Sequence, residues 1–271
     1  MKALKSFSLL LLVILLSLST STGAFATASN QLTPSIQAAF DLTAATAESS
    51  ARLKLTHLYN ELATLTAQYD SREEQIRNLH YNNEQALIAV RNQIKEIDVE
   101  AVARLEAAVK SSKQRYQPLF DQYSGLTKRA KIARELKNKA LNSVLQAQSN
   151  AMKVLVQLAR TEIGDKQNQL NAAKKTRTQK INSARKTLSG IDSPQVSIKS
   201  SKSAASSLNK RISADWNDFK AAIRKQNLTL TTQSLSSLVS AYRQVASYKQ
   251  KIIELEQKVS VVIADTKSQI N

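Results

Sequence analysis

Glycine and proline are scarce in this chain, and their scarcity limits the possible folds more than any other feature. Only 4 Gly and 3 Pro occur among 271 residues. Tight turns between β-strands depend on Gly, Pro and Asn, so the chain has little material for β-hairpins. Aromatic residues make up 5% of the chain, too few for a thick globular core. We therefore expect an all-α protein, an elongated bundle of three to four long amphipathic helices with coiled-coil-like seams.

The N-terminal half has the spacing of one very long helix. Thr33 and Pro34 predict its start, because Thr caps free N–H groups and Pro fits the first helical turn. No further Gly or Pro occurs before Pro118. Ser71 and Glu74 match a capping box, which predicts a break or kink nearby. Apolar residues alternate in steps of three and four, as in a helix that faces a partner; they include Leu55, Leu58, Leu62, Leu65, Tyr69, Ile76, Val90, Ile94 and Val109.

Later helix breaks are predicted where Gly, Pro or other turn residues return. Pro118 and Gly125 predict the first turn, Gly190 the end of the second helix, and Asn227 a turn between the third and fourth helices. The polar residues 199–207 are a predicted linker or frayed turn before a helix that begins at Leu208. The predicted organisation is a signal peptide over residues 1–26, a long near-neutral helix over 27–117, a second long basic helix over 118–190, and a basic helical hairpin over 191–271.

Three polar residues fall on the predicted apolar seams. Asn83 lies on the seam of the first helix, where a buried amide would fix helix register. Lys249 and Glu256 fall on the seam of the last helix, and we interpret them as a local change of helix phase.

The first 26 residues have the pattern of an export signal. Lys2 and Lys5 precede an apolar run over residues 7–16, and small residues stand at positions 24 and 26. The run is shorter than the ~20 residues that cross a bilayer. We therefore expect cleavage after Ala26, and a secreted or cell-envelope-associated protein with no transmembrane segment after cleavage.

Excess positive charge is confined to the C-terminal half. The chain holds 39 basic and 21 acidic residues, a net charge of +18. Residues 27–125 contain 10 basic and 12 acidic residues, whereas residues 126–271 contain 27 basic and 9 acidic residues. The first half therefore cannot neutralise the second, and we expect a contact with a polyanion. The candidate contact residues are Lys128, Arg129, Lys131, Arg134, Lys174, Lys175, Arg185, Lys186, Lys210, Arg211, Arg224 and Lys225.

We expect no enzyme activity, cofactor or metal site. The chain has no Cys, and its two imidazoles are far apart on one predicted helix; both His57 and His80 are expected to flank the seam and face water. It also lacks a Gly-rich phosphate loop and the common catalytic motifs. Trp216 is expected to anchor a core. Three carboxylate pairs are expected to be surface charge on helices: Glu73 and Glu74, Asp215 and Asp218, and Glu254 and Glu256.

These features favour a structural or interaction role at the cell envelope. The leading hypothesis is a helical coiled-coil protein whose basic C-terminal half contacts anionic cell-wall polymers or polysaccharides. It could also self-associate or bind a protein partner through its helix seams, and no specific nucleic-acid binding is expected. One alternative is a coiled-coil scaffold or regulator of an envelope enzyme. A helical membrane-active, toxin-like protein is a further alternative that the lack of a membrane-spanning hairpin disfavours.

Overall fold

The computed structural model describes residues 32–270, and this range contains helices and no β-strand. The predicted all-α class is therefore confirmed. The predicted signal peptide and its cleavage site lie outside the described residues. The elements are α1 (Pro34–Ala45), α2 (Ser49–Glu96), α3 (Val99–Glu135), α4 (Lys139–Leu188), a 3₁₀ turn (Ser189–Ile191), α5 (Asp192–Arg224) and α6 (Leu228–Ile270).

The chain divides into two compact units, and the first contains residues 32–69 and 205–246. In this unit, α1 and parts of α2, α5 and α6 surround one apolar core. Trp216 and Phe219 are fully buried there, with ring centroids 5.7 Å apart. The indole N–H of Trp216 donates to the Tyr242 hydroxyl over 3.2 Å. The prediction that Trp216 anchors a core is confirmed.

The second unit contains residues 70–204 and 247–270. Aliphatic side chains from α2, α4, α5 and α6 form its main core. The remaining part of the unit is an antiparallel hairpin of α3 and α4, whose inner side includes Val102, Val109 and Leu170. Most of the candidate functional residues lie on this hairpin.

The prediction of a single helix from residue 34 to residue 117 is wrong, because one helix ends at Ala45 and the next ends at Glu96. At the first break, Phe40 stacks on Tyr59 with ring centroids 4.3 Å apart, so α1 folds back on α2. The Arg52 side chain donates to the Ala45 carbonyl over 2.7 Å and so caps α1. The chain does not break at the predicted capping box, since α2 is continuous there.

The second break, between α2 and α3, has no Gly or Pro. Asp98 adopts a left-handed conformation with φ 52°. The guanidinium of Arg177, from α4, donates to the carbonyls of Ile97 over 2.8 Å and Lys95 over 3.1 Å. Lys180 lies 2.8 Å from the Asp98 carboxylate. The break is therefore stabilised by side chains about 80 residues further along the chain.

The turn predicted between Pro118 and Gly125 is wrong, because both residues lie inside α3. A proline removes the hydrogen bond to the carbonyl four residues earlier. Here Pro118 and Gln114 are exposed, so water can satisfy that carbonyl, and the helix continues.

The chain reverses instead at residues 136–138. Lys137 adopts φ 58°, and the amide of Asn138 donates to the Ala133 carbonyl over 3.0 Å. The amide of Lys137 donates to the Arg134 carbonyl over 3.1 Å, which completes a Schellman-type helix end with Lys where Gly is usual. The Asn138 side chain then caps α4 by accepting from the Leu141 amide over 3.0 Å.

The predicted linker over residues 199–207 is also wrong, because α5 begins at Asp192 and includes it. Ser201 and Ala205 are buried within this segment. Their small side chains let neighbouring helices pack closely against α5, so the segment stays helical. The predicted turn at Asn227 does separate α5 from α6. It repeats the turn at Asn138, with Gln226 at φ 49° and the Asn227 side chain accepting from the Leu230 amide over 3.0 Å.

Candidate polyanion-binding surface

All twelve basic residues proposed from the sequence lie on the surface. They fall into two sets. Eight lie on the α3–α4 hairpin: Lys128, Arg129, Lys131, Arg134, Lys174, Lys175, Arg185 and Lys186. Four lie on α5 or directly after its last residue: Lys210, Arg211, Arg224 and Lys225. The α5 set is two separate pairs about 20 Å apart along the helix, so the structure does not bring it into one patch.

Few of these cations are neutralised within the protein. Lys174 Nζ lies 2.7 Å from Glu106 Oε1, and Arg211 Nε lies 3.6 Å from Asp215 Oδ2. In residues 32–270, no acidic side chain lies within salt-bridge distance of the other ten. Their charge is therefore available to an external anion.

The densest group of cations lies where α3 ends. Residues 128–139 contain six basic residues and one acidic residue. Lys128, Lys131 and Arg134 are spaced by three, so they stack along one side of α3. Lys137 occupies the turn that follows. Like charges at this spacing repel one another by a few tenths of a kcal/mol per pair, and a bound polyanion would relieve that repulsion.

An ion pair links the two helices at the base of this region. Arg115 Nη2 lies 2.6 Å from Glu162 Oε1 and 2.7 Å from Oε2. The Tyr116 hydroxyl donates to the same carboxylate, and Lys166 Nζ lies 3.0 Å from it. The hydrogen bonds from Tyr116 and Lys166 lower the pKa of Glu162 to about 2. The carboxylate therefore stays charged at ordinary pH. We call residues 115–162, from this pair to the turn and back, the distal hairpin.

The chain matches no family model, curated protein or solved structure. Among residues 32–270, no helix is long and apolar enough to cross a membrane. In the same range, no three His, Cys, Asp or Glu side chains are grouped as a metal site requires.

The second unit also buries charged residues whose pairing the sequence analysis missed. Lys249 is 3% exposed, and its ammonium donates to the Glu73 carboxylate. Glu256 is 2% exposed. Its Oε1 lies 2.9 Å from His80 Nδ1, and its Oε2 accepts from Asn83 Nδ2 over 2.8 Å. The expected burial of Asn83 is confirmed.

Three expectations about these residues are wrong. Lys249 and Glu256 do not mark a change of helix phase; they stay on the buried seam because each meets a polar partner on α2. Glu256 is consequently not surface charge like its neighbour Glu254. The His80 side chain is about half exposed, yet it does not simply face water, because it also binds the buried carboxylate of Glu256.

The environment of this cluster shifts three pKa values. The hydrogen bond to Glu256 raises the pKa of His80 above its ordinary 6.5, although burial and Lys202 oppose the change. Burial alone would raise the pKa of Glu256, but the hydrogen bonds from His80 and Asn83 outweigh it, and the net pKa is lowered. Burial lowers the pKa of Lys249, although its contact with Glu73 opposes that effect.

The His80 shift predicts a pH-dependent stability. A group whose pKa is raised on folding stabilises the fold below its ordinary value, and that stabilisation is lost as pH rises through the raised value. We expect His80→Gln to lower the thermal midpoint more below pH 6.5 than at alkaline pH. Exposed His57 is the only other imidazole, so His57→Gln is a matched control and should show no such trend. A His80→Gln effect of the same size at every pH would contradict the account.

Proposed function

We propose that this protein is an exported, non-enzymatic helical protein that binds anionic polymers of the cell envelope through its exposed basic surface. The observation that carries the proposal is the unneutralised charge of ten of the twelve candidate cations. The distal hairpin contributes the densest group. Lys128, Lys131 and Arg134 are the residues that we assign as its principal contacts.

The chemistry of the surface favours a flexible polyanion over a compact ligand. The cations lie along exposed helix faces. Such a surface attracts polyanions at long range, and the attraction is weakened by salt. Recognition of this kind depends on charge density along the polymer rather than on the shape of one unit. Nucleic acid would bind in the same non-specific way.

The expected compartment narrows the choice of polymer. An export signal at the N-terminus would place the protein among cell-wall polymers with phosphate or carboxylate groups and acidic polysaccharides. Both polymer types repeat their negative charges along a chain. A row of cations spaced by three along a helix can contact several of those charges at once, and the released counterions add to the affinity.

Cosedimentation with purified cell walls tests the proposal. We expect the protein to pellet with intact walls at low salt, to stay in solution at high salt, and to lose binding to walls stripped of their acidic polymer. The stripped walls serve as the control, because they retain the uncharged scaffold. Binding that is unchanged by both salt and polymer removal would contradict the proposal.

A further inference from the structure

The distal hairpin exposes an apolar face that has no partner in the described residues. Inside the hairpin, the two helices pack through small side chains such as Ala130, Ala133 and Ala159. Outside it, seven large aliphatic side chains are between 48% and 74% exposed: Ile132, Leu136, Leu141, Val144, Val154, Leu155 and Leu158. Soluble proteins seldom leave a contiguous patch of this size open unless it binds something.

Helical spacing places these side chains on one face. Arg115 and Glu162 contact each other across the hairpin, so they mark the same face of its two helices. Leu158 and Leu155 precede Glu162 by four and seven residues, which places them on its side of α4. Leu136 lies 21 residues after Arg115, which is six turns of 3.5 residues, so both lie on the same side of α3. The apolar face therefore spans both helices.

The opposite face of the distal hairpin is cationic. Arg134 is two residues from both Ile132 and Leu136, a rotation of about 200° around the helix. On α4, Lys153 lies two residues before Leu155 and Arg160 lies two residues after Leu158, so each is rotated by the same angle from its aliphatic neighbour. Arg134, Lys153 and Arg160 therefore lie opposite the aliphatic face, whereas Lys128 and Arg129, four and three residues before Ile132, border that face.

We propose that the apolar face binds the same face of a second copy of this chain. Two hairpins packed in this way form a four-helix section with Arg134, Lys153 and Arg160 of each copy outside. The face is about 25 Å long and about 20 Å wide. Two such faces bury on the order of 1,000 Å², the size at which specific interfaces begin.

Charge sets the orientation of the two hairpins. The basic tips repel each other, so the hairpins pack antiparallel with α4 against α4. With Ala151 at the crossing point, Leu158 lies opposite Val144 of the second copy and Leu155 lies opposite Ala147 of the second copy. Leu155 thus meets a small side chain, and Leu158 meets another exposed aliphatic side chain, so both lose contact with water.

The same register also brings opposite charges near each other. The turn that contains Lys137 precedes α4, and its distance from Ala151 along the hairpin places it at the level of Glu162 and Asp165 of the second copy. An anionic bilayer fits this face less well than a second copy does, because Glu162 borders the face and would be repelled by the headgroups. In addition, Lys153 and Arg160 lie on the far side, away from a lipid surface.

Sedimentation equilibrium of the purified protein tests the proposal. We expect a monomer–dimer equilibrium, and Leu155→Gln with Leu158→Gln should weaken dimerisation at least about tenfold while helix content stays unchanged. The matched control is Val196→Gln with Val261→Gln, which changes two exposed aliphatic side chains outside the hairpin and should leave dimerisation intact. A wild-type protein that stays monomeric, or equal effects of the two double variants, would overturn the proposal.

Disulfide crosslinking tests the crossing point. The chain has no Cys, so a single introduced thiol reports only on the contact between copies. Ala151→Cys should form a crosslinked dimer on mild oxidation, whereas Asn150→Cys, exposed on the adjacent position but turned away from the face, should not. Equal crosslinking at both positions would contradict the proposed register.

Vesicles of phosphatidylglycerol distinguish a second copy from a lipid surface. We expect any vesicle binding to be unaffected by the Leu155 and Leu158 substitutions. A monomeric protein whose vesicle binding is lost in that variant would overturn the proposal in favour of a lipid contact. The sedimentation assay contains no anionic polymer, so its outcome is independent of the proposed envelope-binding function.

Discussion

Replacing Glu256 by alanine is expected to lower the free energy of unfolding by about 1–3 kcal/mol, the usual cost of leaving a buried polar group without its hydrogen-bond partner. Glu256 is 2% exposed and joins α6 to His80 and Asn83 of α2. Its removal leaves one N–H of the buried Asn83 amide without an acceptor, which is costly, while Asn83 Nδ2 still donates to the Glu256 backbone carbonyl over 2.8 Å. Denaturant unfolding of the wild type and the variant measures the effect.

Glu254 provides the control, since it lies two residues away on the exposed side of the same helix. Glu254→Ala should change stability by less than about 0.5 kcal/mol, as is usual for surface substitutions. The double variant Asn83→Leu with Glu256→Leu should recover much of the lost stability, because it removes both polar groups together. Equal effects of Glu256→Ala and Glu254→Ala would show that the cluster contributes nothing specific.

The helical class could be predicted because it depends on local signals. Few Gly and Pro, and apolar residues in steps of three and four, leave helices as the only regular structure that buries the seams. The turn at Asn227 and the core position of Trp216 were also visible. The turn at Lys137 was not, because a left-handed Lys leaves no mark in the sequence. Pro118 gave a false signal, because an exposed proline can be tolerated within a helix.

The buried cluster needed tertiary information. Lys249 and Glu256 are seven residues apart on α6, and Glu73 and His80 have the same spacing on α2. Two helices in contact can pair such residues, and the matching seven-residue spacings were a signal that the sequence analysis left unused. Periodicity alone gives the buried face of one helix. It does not reveal which other helix, 176 residues away, lies against that face.

Neutralising the tip of the distal hairpin is expected to lower affinity for an anionic polymer by about 10- to 100-fold. The variant is Lys128→Gln, Lys131→Gln and Arg134→Gln. Each cation near a dense anionic surface contributes up to about 1 kcal/mol, and each 1.4 kcal/mol is about tenfold in affinity. All three side chains are exposed and have no acidic partner within the described residues, so the fold should tolerate the change.

A second triple variant separates position from total charge. Lys251, Lys258 and Lys267 are exposed on α6, and their replacement by Gln removes the same three charges from elsewhere in the second unit. If the distal hairpin is the contact, this control should lose little affinity. Both variants should keep the helix content and the thermal midpoint of the wild type.

The most direct test of the polyanion-binding account is the dissociation constant for soluble polyglycerol phosphate, measured for these three proteins at about 50 mM and about 200 mM salt. The account predicts that wild-type affinity falls at least about tenfold over this range. It also predicts that the α6 control follows the wild type, and that the tip variant binds weakly with a smaller salt dependence. A wild-type affinity that salt does not change, or a tip variant that binds as tightly as the α6 control, would contradict it.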